Sequence, residues 1–244
     1  MLRKFFATLV ILLFAAPGLR AAPLFDIMVL FDGSGSITNS DYEDQRSLGQ
    51  YLFNSLTISP TDNQFGIVQF STGVTLESGL NSSAASLTTA LNNMNQSLGQ
   101  TNHAGAFTTA HNELTLNGRG GNVQQVVILM TDGVANEPAG NPILDAINAA
   151  NALKNDGALV FALGFGNGVQ LSDLQDYISS PIGNHAFGFN DFSDGFAGID
   201  AIVAELNSLE TPPAVSEPGP LAVMVFGLGT LVMIRRRRAN TFPV

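Results

Sequence analysis

The sequence predicts an α/β fold of the doubly wound type, in which a mainly parallel sheet carries helices on both faces. Two very apolar segments, residues 24–31 and 123–130, are typical of strands that are buried on both faces. A third apolar segment, residues 158–165, follows a segment with helical periodicity that stops at Gly157. The alternation of such strands with helical segments along the chain favours a parallel sheet.

The first half of the chain is predicted to contain three strands and three helices. The segment Ser-Asp-Tyr-Glu at residues 40–43 matches a capping box, in which two side chains satisfy free amides at a helix start. The helix that follows carries Leu48, Leu52 and Leu56 at helical spacing. Besides the first strand, we expect a strand over 64–71 with a short antiparallel partner over 74–78, and helices over 84–94 and 103–116.

The second half is predicted to add three strands and three helices. Asn141 followed by Pro142 is a favourable N-cap and first helical residue, and this helix is predicted to end near Asn155. After the strand over 158–165 we expect a short helix over 171–178 and a strand over 185–189. Ser193 is predicted to cap the final helix, whose apolar face contains Phe196, Ile199, Ile202, Val203 and Leu206.

The charges of the chain are strongly partitioned. Seven of the ten basic residues lie in the first 20 residues or in a C-terminal run of arginines, whereas all 20 acidic residues follow residue 22. The main body therefore contains three basic and 20 acidic residues, which gives it a formal charge near −17. Such a surface repels nucleic acid and attracts divalent cations and basic partners. Solubility of an exported protein explains most of these charges equally well. The absence of cysteine excludes disulfides and thiolate metal sites.

The N-terminus has the layout of a secretory signal peptide, predicted over residues 1–22. Arg3 and Lys4 precede the apolar residues 5–16, and the small residues Ala21 and Ala22 follow. The alternative is an uncleaved N-terminal anchor. The apolar stretch is shorter than the ~20 residues that a membrane-spanning helix needs.

The C-terminal end predicts a linker over residues 209–219, followed by an apolar segment and a basic cluster over residues 220–238. As a helix, the apolar run over 221–234 would cover about 21 Å, which is less than the ~30 Å of a hydrocarbon core. The cluster that follows, suited to the cytoplasmic side of a membrane, consists of Arg235, Arg236, Arg237 and Arg238.

Oxygen-bearing side chains follow two of the predicted strands and precede one predicted helix. Asp32, Ser34 and Ser36 come directly after the first strand, Asp132 ends a central strand, and Thr101 precedes a helix. Because ligands of open α/β sheets bind beyond the carboxyl ends of the strands, we expect these side chains to meet at one edge. Hard oxygen ligands suit Mg²⁺, which usually keeps waters and so leaves a position for an incoming oxygen. Taken singly, these segments are also compatible with a helix-capping loop or a turn.

Together the three segments resemble the von Willebrand factor type A domain over residues 24–208. The segment Asp-Gly-Ser-Gly-Ser at residues 32–36, Thr101 and the segment Met-Thr-Asp-Gly at residues 130–133 match the metal-ion-dependent adhesion site (MIDAS) of that family. Its pattern is D-x-S-x-S, then a distant Thr and a distant Asp. Residues 101–106 resemble the family's T-x-T-x-G-A segment, with His103 in place of the second threonine.

The resemblance implies a Rossmann-type fold that binds Mg²⁺, with Ca²⁺ or Mn²⁺ as substitutes. It also implies a protein or extracellular-matrix ligand whose carboxylate completes the metal shell. His103, Asn136 and Glu137 are expected at the rim of the site, where His103 would bring a titratable side chain close to the ligand. The residues expected to be linked to the metal, some through water, are Asp32, Ser34, Ser36, Thr101 and Asp132.

The tail resembles the PEP-CTERM sorting signal of exported Gram-negative proteins. In the triplet that names the signal, Ser216 replaces the first proline and is followed by Glu217 and Pro218. The apolar run and the arginine cluster then follow in the expected order. The resemblance implies processing by an exosortase, transient contact with the inner membrane, and export to the cell surface or extracellular matrix. A retained membrane anchor is the alternative.

Three functions are compatible with these residues. The favoured one is an exported binding or adhesion protein with a metal-completed site and no enzymatic activity. The second is a structural assembly subunit in which the site is degenerate. The third is a metal-dependent phosphohydrolase with Asp32 as nucleophile. That chemistry would call for a second acid where the chain has Ser34, and for a lysine near the phosphate, for which the main body offers only Lys154.

Overall fold

Six strands form a single sheet in the part of the chain that the computed structural model describes, residues 24–180 and 185–209. The strand order is β3-β2-β1-β4-β5-β6, and β3 is antiparallel to β2 whereas all other neighbours are parallel. The predicted fold class is therefore confirmed. The strands are β1 (Leu24–Asp32), β2 (Gln64–Phe70), β3 (Val74–Asn81), β4 (Val123–Thr131), β5 (Leu159–Phe165) and β6 (Ala186–Phe189).

Helices cover both faces of the sheet. The side chains of β1 alternate between two cores because successive residues of a strand point to opposite faces. Ile27 and Phe31 pack with α1, α2 and α6, and Met28 and Leu30 pack with α3 and α4. The helices are α1 (Asn39–Ser55), α2 (Ala84–Asn93), α3 (His103–Asn117), α4 (Pro142–Asn155), α5 (Leu171–Leu174) and α6 (Phe196–Ser208), with a 3₁₀ turn at Phe192–Asp194.

Three predicted helix boundaries are wrong. Helix α1 begins at Asn39 rather than after Ser40, because the Thr38 side chain accepts the amide hydrogen of Asp41 and so acts as the N-cap. Ser193 lies inside the 3₁₀ turn, and Gly195 is the residue before α6. Helix α5 has four residues and ends at Leu174 instead of Ile178.

The central strand β1 is held at both ends by buried side chains. At its start, the Asp26 carboxylate accepts hydrogen bonds from the Nε and the backbone N–H of Arg119, at 2.8 and 2.6 Å. At its end, the backbone N–H and C=O of Asp32 are both paired at 2.8 Å with the Gln45 amide. Because Asp26 and Gln45 are fully buried, their polar atoms need these partners, and the strand end that carries Asp32 is fixed in position.

No helix among the described residues is long and apolar enough to cross a membrane. The predicted signal peptide lies outside the described residues. The predicted sorting signal also lies outside them, as does the predicted linker except for its first residue, Leu209.

Candidate metal centre

The strand register brings the predicted metal-linked side chains to one edge of the sheet. Strands β1 and β4 are parallel neighbours, and Phe31 pairs with Met130. Asp32 and Asp132 consequently lie at the ends of adjacent strands. This is the edge at which ligands of open α/β sheets bind.

The loop after β1 is packed closely against its neighbours. The N–H of Gly33 donates to Phe70 at 2.7 Å, and the N–H of Gly35 donates to the carbonyl of Gly99 at 2.9 Å. A side chain at residue 33 would meet the Gln69 amide oxygen, which lies 2.4 Å from the position of a Cβ atom. Glycine at residue 33 avoids this contact, which any other residue could relieve only by displacing the Gln69 side chain.

A chain of hydrogen bonds joins the two strand ends. The N–H of Ser34 donates to Asp32 Oδ1 at 2.8 Å, and the hydroxyls of Ser34 and Ser36 lie 3.0 Å apart. The Ser36 hydroxyl then donates to Asp132 Oδ1 at 2.7 Å, although 96 residues separate them in sequence. Four of the five predicted metal-linked residues are thereby brought together through direct contacts.

Thr101, in the loop before α3, lies at the same edge of the sheet. It is buried, and a methyl group on Gly133 would lie 3.9 Å from the Thr101 hydroxyl. The Thr101 hydroxyl is therefore adjacent to the residue that follows Asp132. Its backbone is fixed by Asn136, whose side-chain oxygen accepts the Thr101 N–H at 2.6 Å.

The two carboxylates of the centre are held in an environment that opposes their ionisation. Burial raises the pKa of Asp32 to about 6, although hydrogen bonds from Ser34 and Thr131 act in the opposite direction. Burial also raises the pKa of Asp132, and the Ser36 hydrogen bond partly opposes this shift. A bound cation would supply the positive charge that favours the ionised form of both groups.

His103 does not lie at the rim, so that prediction is wrong. Its side chain is fully buried between Phe70 and Tyr177, with ring centroids 5.4 and 5.5 Å away in edge-to-face contacts. Burial lowers the pKa of His103 to about 3, so the imidazole is neutral at physiological pH. A partner at the surface cannot contact it.

Asn136 and Glu137 lie near the surface in the loop after β4, with Asn136 exposed and Glu137 half-buried. Both of their backbone N–H groups donate to the carbonyl of Thr101, at 3.0 and 3.2 Å. The loop therefore braces Thr101. A role of these side chains in contacting a partner stays a prediction.

Two residues at the centre were missed by the sequence predictions. Thr131 donates from its hydroxyl to Asp32 Oδ2 at 2.6 Å, and Gln45 holds the Asp32 backbone. A signal for Gln45 was present, because it lies on the same helical face as Leu48 and Leu52 at spacings of three and seven residues. A polar side chain on a buried helical face must find a polar partner.

An acidic cleft of about 200 Å³ adjoins the centre and is lined in part by Ser36 and Asp132. Asp41 and Asp191 also line it, and they approach Asp44 so that carboxylate oxygens of the three lie within 4.8 Å of one another. The centre thus faces an open space with a concentration of negative charge at its edge.

A model of the von Willebrand factor type A domain matches residues 26–202, which is more than half of the chain. The chain belongs to this family. The fold and the arrangement of the three loops agree with the membership that the sequence motifs indicated.

The relatives of this family member include matrix proteins of animals. It is 31% identical over 153 residues to the collagen alpha-4(VI) chain of Mus musculus, covering 61% of this chain and 6% of the collagen. It is 30% identical over 172 residues to matrilin-1 of Homo sapiens, covering 68% of this chain and 33% of the matrilin. The chain thus spans only a minor part of the length of these curated relatives. Their names are those of matrix proteins and not of enzymes, in agreement with the prediction of a non-enzymatic chain.

Solved structures that are similar to this chain include those of another matrix protein. Proximal thread matrix protein 1 from the mussel byssus is similar with a TM-score of 0.67 and 28% identity, covering 77% of this chain and 49% of that one. Another structure of that protein, with a TM-score of 0.66 and 27% identity, has a zinc-occupied MIDAS motif and covers 77% of this chain and 48% of that one. A divalent metal therefore occupies the corresponding motif in a structural neighbour.

The ionisation of Asp32 is expected to destabilise the metal-free protein. Its carboxyl has a pKa near 3.8 when unfolded and about 6 when folded, so a stabilising contribution present below pH 3.8 is lost as the pH rises to about 6. Asp32→Asn removes this dependence and should make the metal-free protein more stable than the wild type at pH 7, by up to about 3 kcal/mol. Urea denaturation between pH 4 and 8, without divalent ions, measures the difference.

Asp176→Asn removes an exposed carboxylate and controls for the loss of one negative charge. A difference in unfolding free energy between Asp32→Asn and wild type that stays constant from pH 4 to 8 would contradict the expected effect of burial.

Proposed function

We propose that the chain is an exported binding or adhesion protein whose MIDAS holds a divalent cation and binds a carboxylate of a protein or extracellular-matrix partner. The observation that carries the proposal is the contact between Ser36 and Asp132, which joins the first and the last motif segment at one sheet edge. A contact between residues that are 96 positions apart in sequence supports the proposal that both face a common ligand. The adjoining cleft gives a partner side chain access to this edge.

Mg²⁺ is the cation that we propose, with Ca²⁺ or Mn²⁺ as substitutes. The donor set contains two carboxylates and three hydroxyls, which are hard oxygen ligands, and it contains no thiolate or accessible imidazole. The burial of Asp32 leaves a carboxylate that needs a compensating charge. The residues proposed to hold the ion directly or through water are Asp32, Ser34, Ser36, Thr101 and Asp132.

The metal-dependent phosphohydrolase is disfavoured by the surroundings of Asp32. Ser34 occupies the position at which such chemistry would call for a second acid. Its N–H donates to Asp32, and its hydroxyl is hydrogen-bonded to the Ser36 hydroxyl. Lys154 donates to the backbone carbonyls of Asp176 and Ile178, at 2.8 and 3.2 Å, and so has a structural role at the end of α4. We therefore propose a protein without enzymatic activity.

Binding to carboxylate is expected to require the metal. We expect the full chain, presented to immobilised peptides that contain Asp or Glu, to bind in the presence of Mg²⁺ and to be released by EDTA. The same peptides with Asn or Gln should not bind, because a neutral amide oxygen is a weaker ligand for the cation. Asp32→Ala should abolish the binding, whereas Asp176→Asn should retain it, as measured by surface plasmon resonance.

Binding that is equal with EDTA and Mg²⁺, or equal for acidic and amide peptides, would contradict this function. Metal-independent self-association of the chain, measured by sedimentation, would instead support the structural assembly subunit with a degenerate site.

We also propose that the tail is a PEP-CTERM sorting signal processed by an exosortase at the inner membrane, with delivery to the surface or matrix of a Gram-negative cell. The support is the sequence alone, namely Ser216, Glu217 and Pro218 followed by the apolar run and the arginines.

Processing would remove the arginine cluster at residues 235–238 from the mature protein. Mass spectrometry of the exported protein should therefore find a C-terminus near the triplet, and substitution of Glu217 and Pro218 by alanine should leave the tail intact. Recovery of residues 235–238 in the mature wild-type protein would show a retained membrane anchor instead.

A further inference from the structure

We propose that His103 is a positioning residue for the metal centre, acting on Asp32 through the hydroxyl of Thr131. This inference rests on the proposed metal-dependent function. It assigns a role to the one residue at which the chain departs from the family's T-x-T-x-G-A pattern.

The three side chains form a continuous buried line. Thr131 Oγ1 lies 2.6 Å from Asp32 Oδ2 and 3.1 Å from His103 Nε2. All three residues have 0% exposure, so bulk water does not compete for these polar atoms. Asp32 Oδ2 and His103 Nε2 therefore find their hydrogen-bond partner within this line, whereas Asp32 Oδ1 accepts from the Ser34 N–H.

The direction of the hydrogen bonds follows from the ionised state of the carboxylate. A metal-bound Asp32 only accepts, so the single hydroxyl hydrogen of Thr131 points to it. The Thr131 oxygen then accepts from His103, which must carry its one hydrogen on Nε2. The Nδ1 atom is left as an acceptor, with the Tyr177 hydroxyl 3.5 Å away at the limit of a hydrogen bond.

The imidazole is a rigid donor. The edge-to-face contacts with Phe70 and Tyr177 fix the plane of the ring, and the first turn of α3 fixes its backbone. Nε2 is thereby aimed at Thr131 without the freedom of rotation that a hydroxyl side chain at this residue would have.

The rigid donor selects between two orientations of the Thr131 hydroxyl. The carbonyl of Gly133 lies 3.1 Å from Thr131 Oγ1 and competes with Asp32 for the hydroxyl hydrogen. Without the His103 N–H, Thr131 Oγ1 keeps only the longer hydrogen bond from the Gly133 N–H, at 3.3 Å, and a rotation of the hydroxyl toward the Gly133 carbonyl leaves Asp32 Oδ2 without a donor. The carboxylate would then be held mainly by Ser34 at Oδ1, and its orientation toward the metal would be looser.

Two substitutions separate donation from packing. His103→Gln places an amide N–H near the position of Nε2, whereas His103→Met has similar length and no donor. Tyr177→Phe removes only the long contact to Nδ1 and serves as the matched control. Mg²⁺ titration by calorimetry and metal-free thermal unfolding are measured for the full chain of each variant.

We expect His103→Met to weaken Mg²⁺ binding by about 10-fold, the lower end of what loss of an outer-shell partner costs, and His103→Gln and Tyr177→Phe to stay within about 3-fold of wild type. A His103→Met variant that binds Mg²⁺ like wild type would overturn the proposal. Equal weakening in His103→Gln and His103→Met, with equal loss of thermal stability, would show a packing role and also overturn it.

The result for the wild type separates this inference from the proposed function. Absence of Mg²⁺ binding by the wild type refutes the proposed function together with this inference, whereas wild-type binding that no variant alters refutes the positioning role alone. If His103→Met does not fold, ¹⁵N NMR of the wild type decides. The expected tautomer carries hydrogen on Nε2 of His103, and hydrogen on Nδ1 would overturn the proposal.

Discussion

The buried carboxylate of Asp32 is the constraint around which this edge of the molecule is arranged. An ionised group removed from water costs several kcal/mol unless charge or hydrogen bonds compensate it. Here the Ser34 N–H and the Thr131 hydroxyl donate hydrogen bonds to the Asp32 carboxylate. They compensate the cost of burial only in part, and the pKa of Asp32 is therefore raised to about 6. A bound cation would supply the missing charge, and this requirement links the fold to the proposed function.

The sheet and its two cores make such an arrangement stable. Strand β1 is packed from both faces, so its end is rigid, and the Gln45 amide of α1 holds the last peptide of the strand. The loops that follow β1 and β4 are joined by Ser36, and the loop before α3 is tied to them by Asn136. The outer part of the centre, in contrast, opens to an acidic cleft. A site that a partner completes requires side chains held in fixed positions on the protein side and an open space from which the partner can approach.

The strands, and the meeting of the five proposed metal-linked residues at one sheet edge, were predictable because the segments that carry them have recognisable sequence patterns. Continuous apolar runs marked β1 and β4, and the spacing of Asp32, Ser34 and Ser36 marked the loop. The start of α1 was not predictable, since Thr38 and Ser40 are both good N-caps, and in the structure Thr38 caps the helix through its hydrogen bonds with Asp41. His103 was misjudged because the motif was interpreted without the helix periodicity. It shares a face with Ala106, Phe107 and Ala110 at spacings of three, four and seven residues, and that face is buried.

We propose that a divalent ion lies among Asp32, Ser34 and Ser36, and a crystal structure determined with Mn²⁺ would locate it. The anomalous signal of manganese distinguishes the ion from water. We expect a peak bounded by these three side chains, with Thr101 and Asp132 in direct or water-mediated contact. No peak there, or a peak only at the neighbouring carboxylates of Asp41, Asp44 and Asp191, would contradict it.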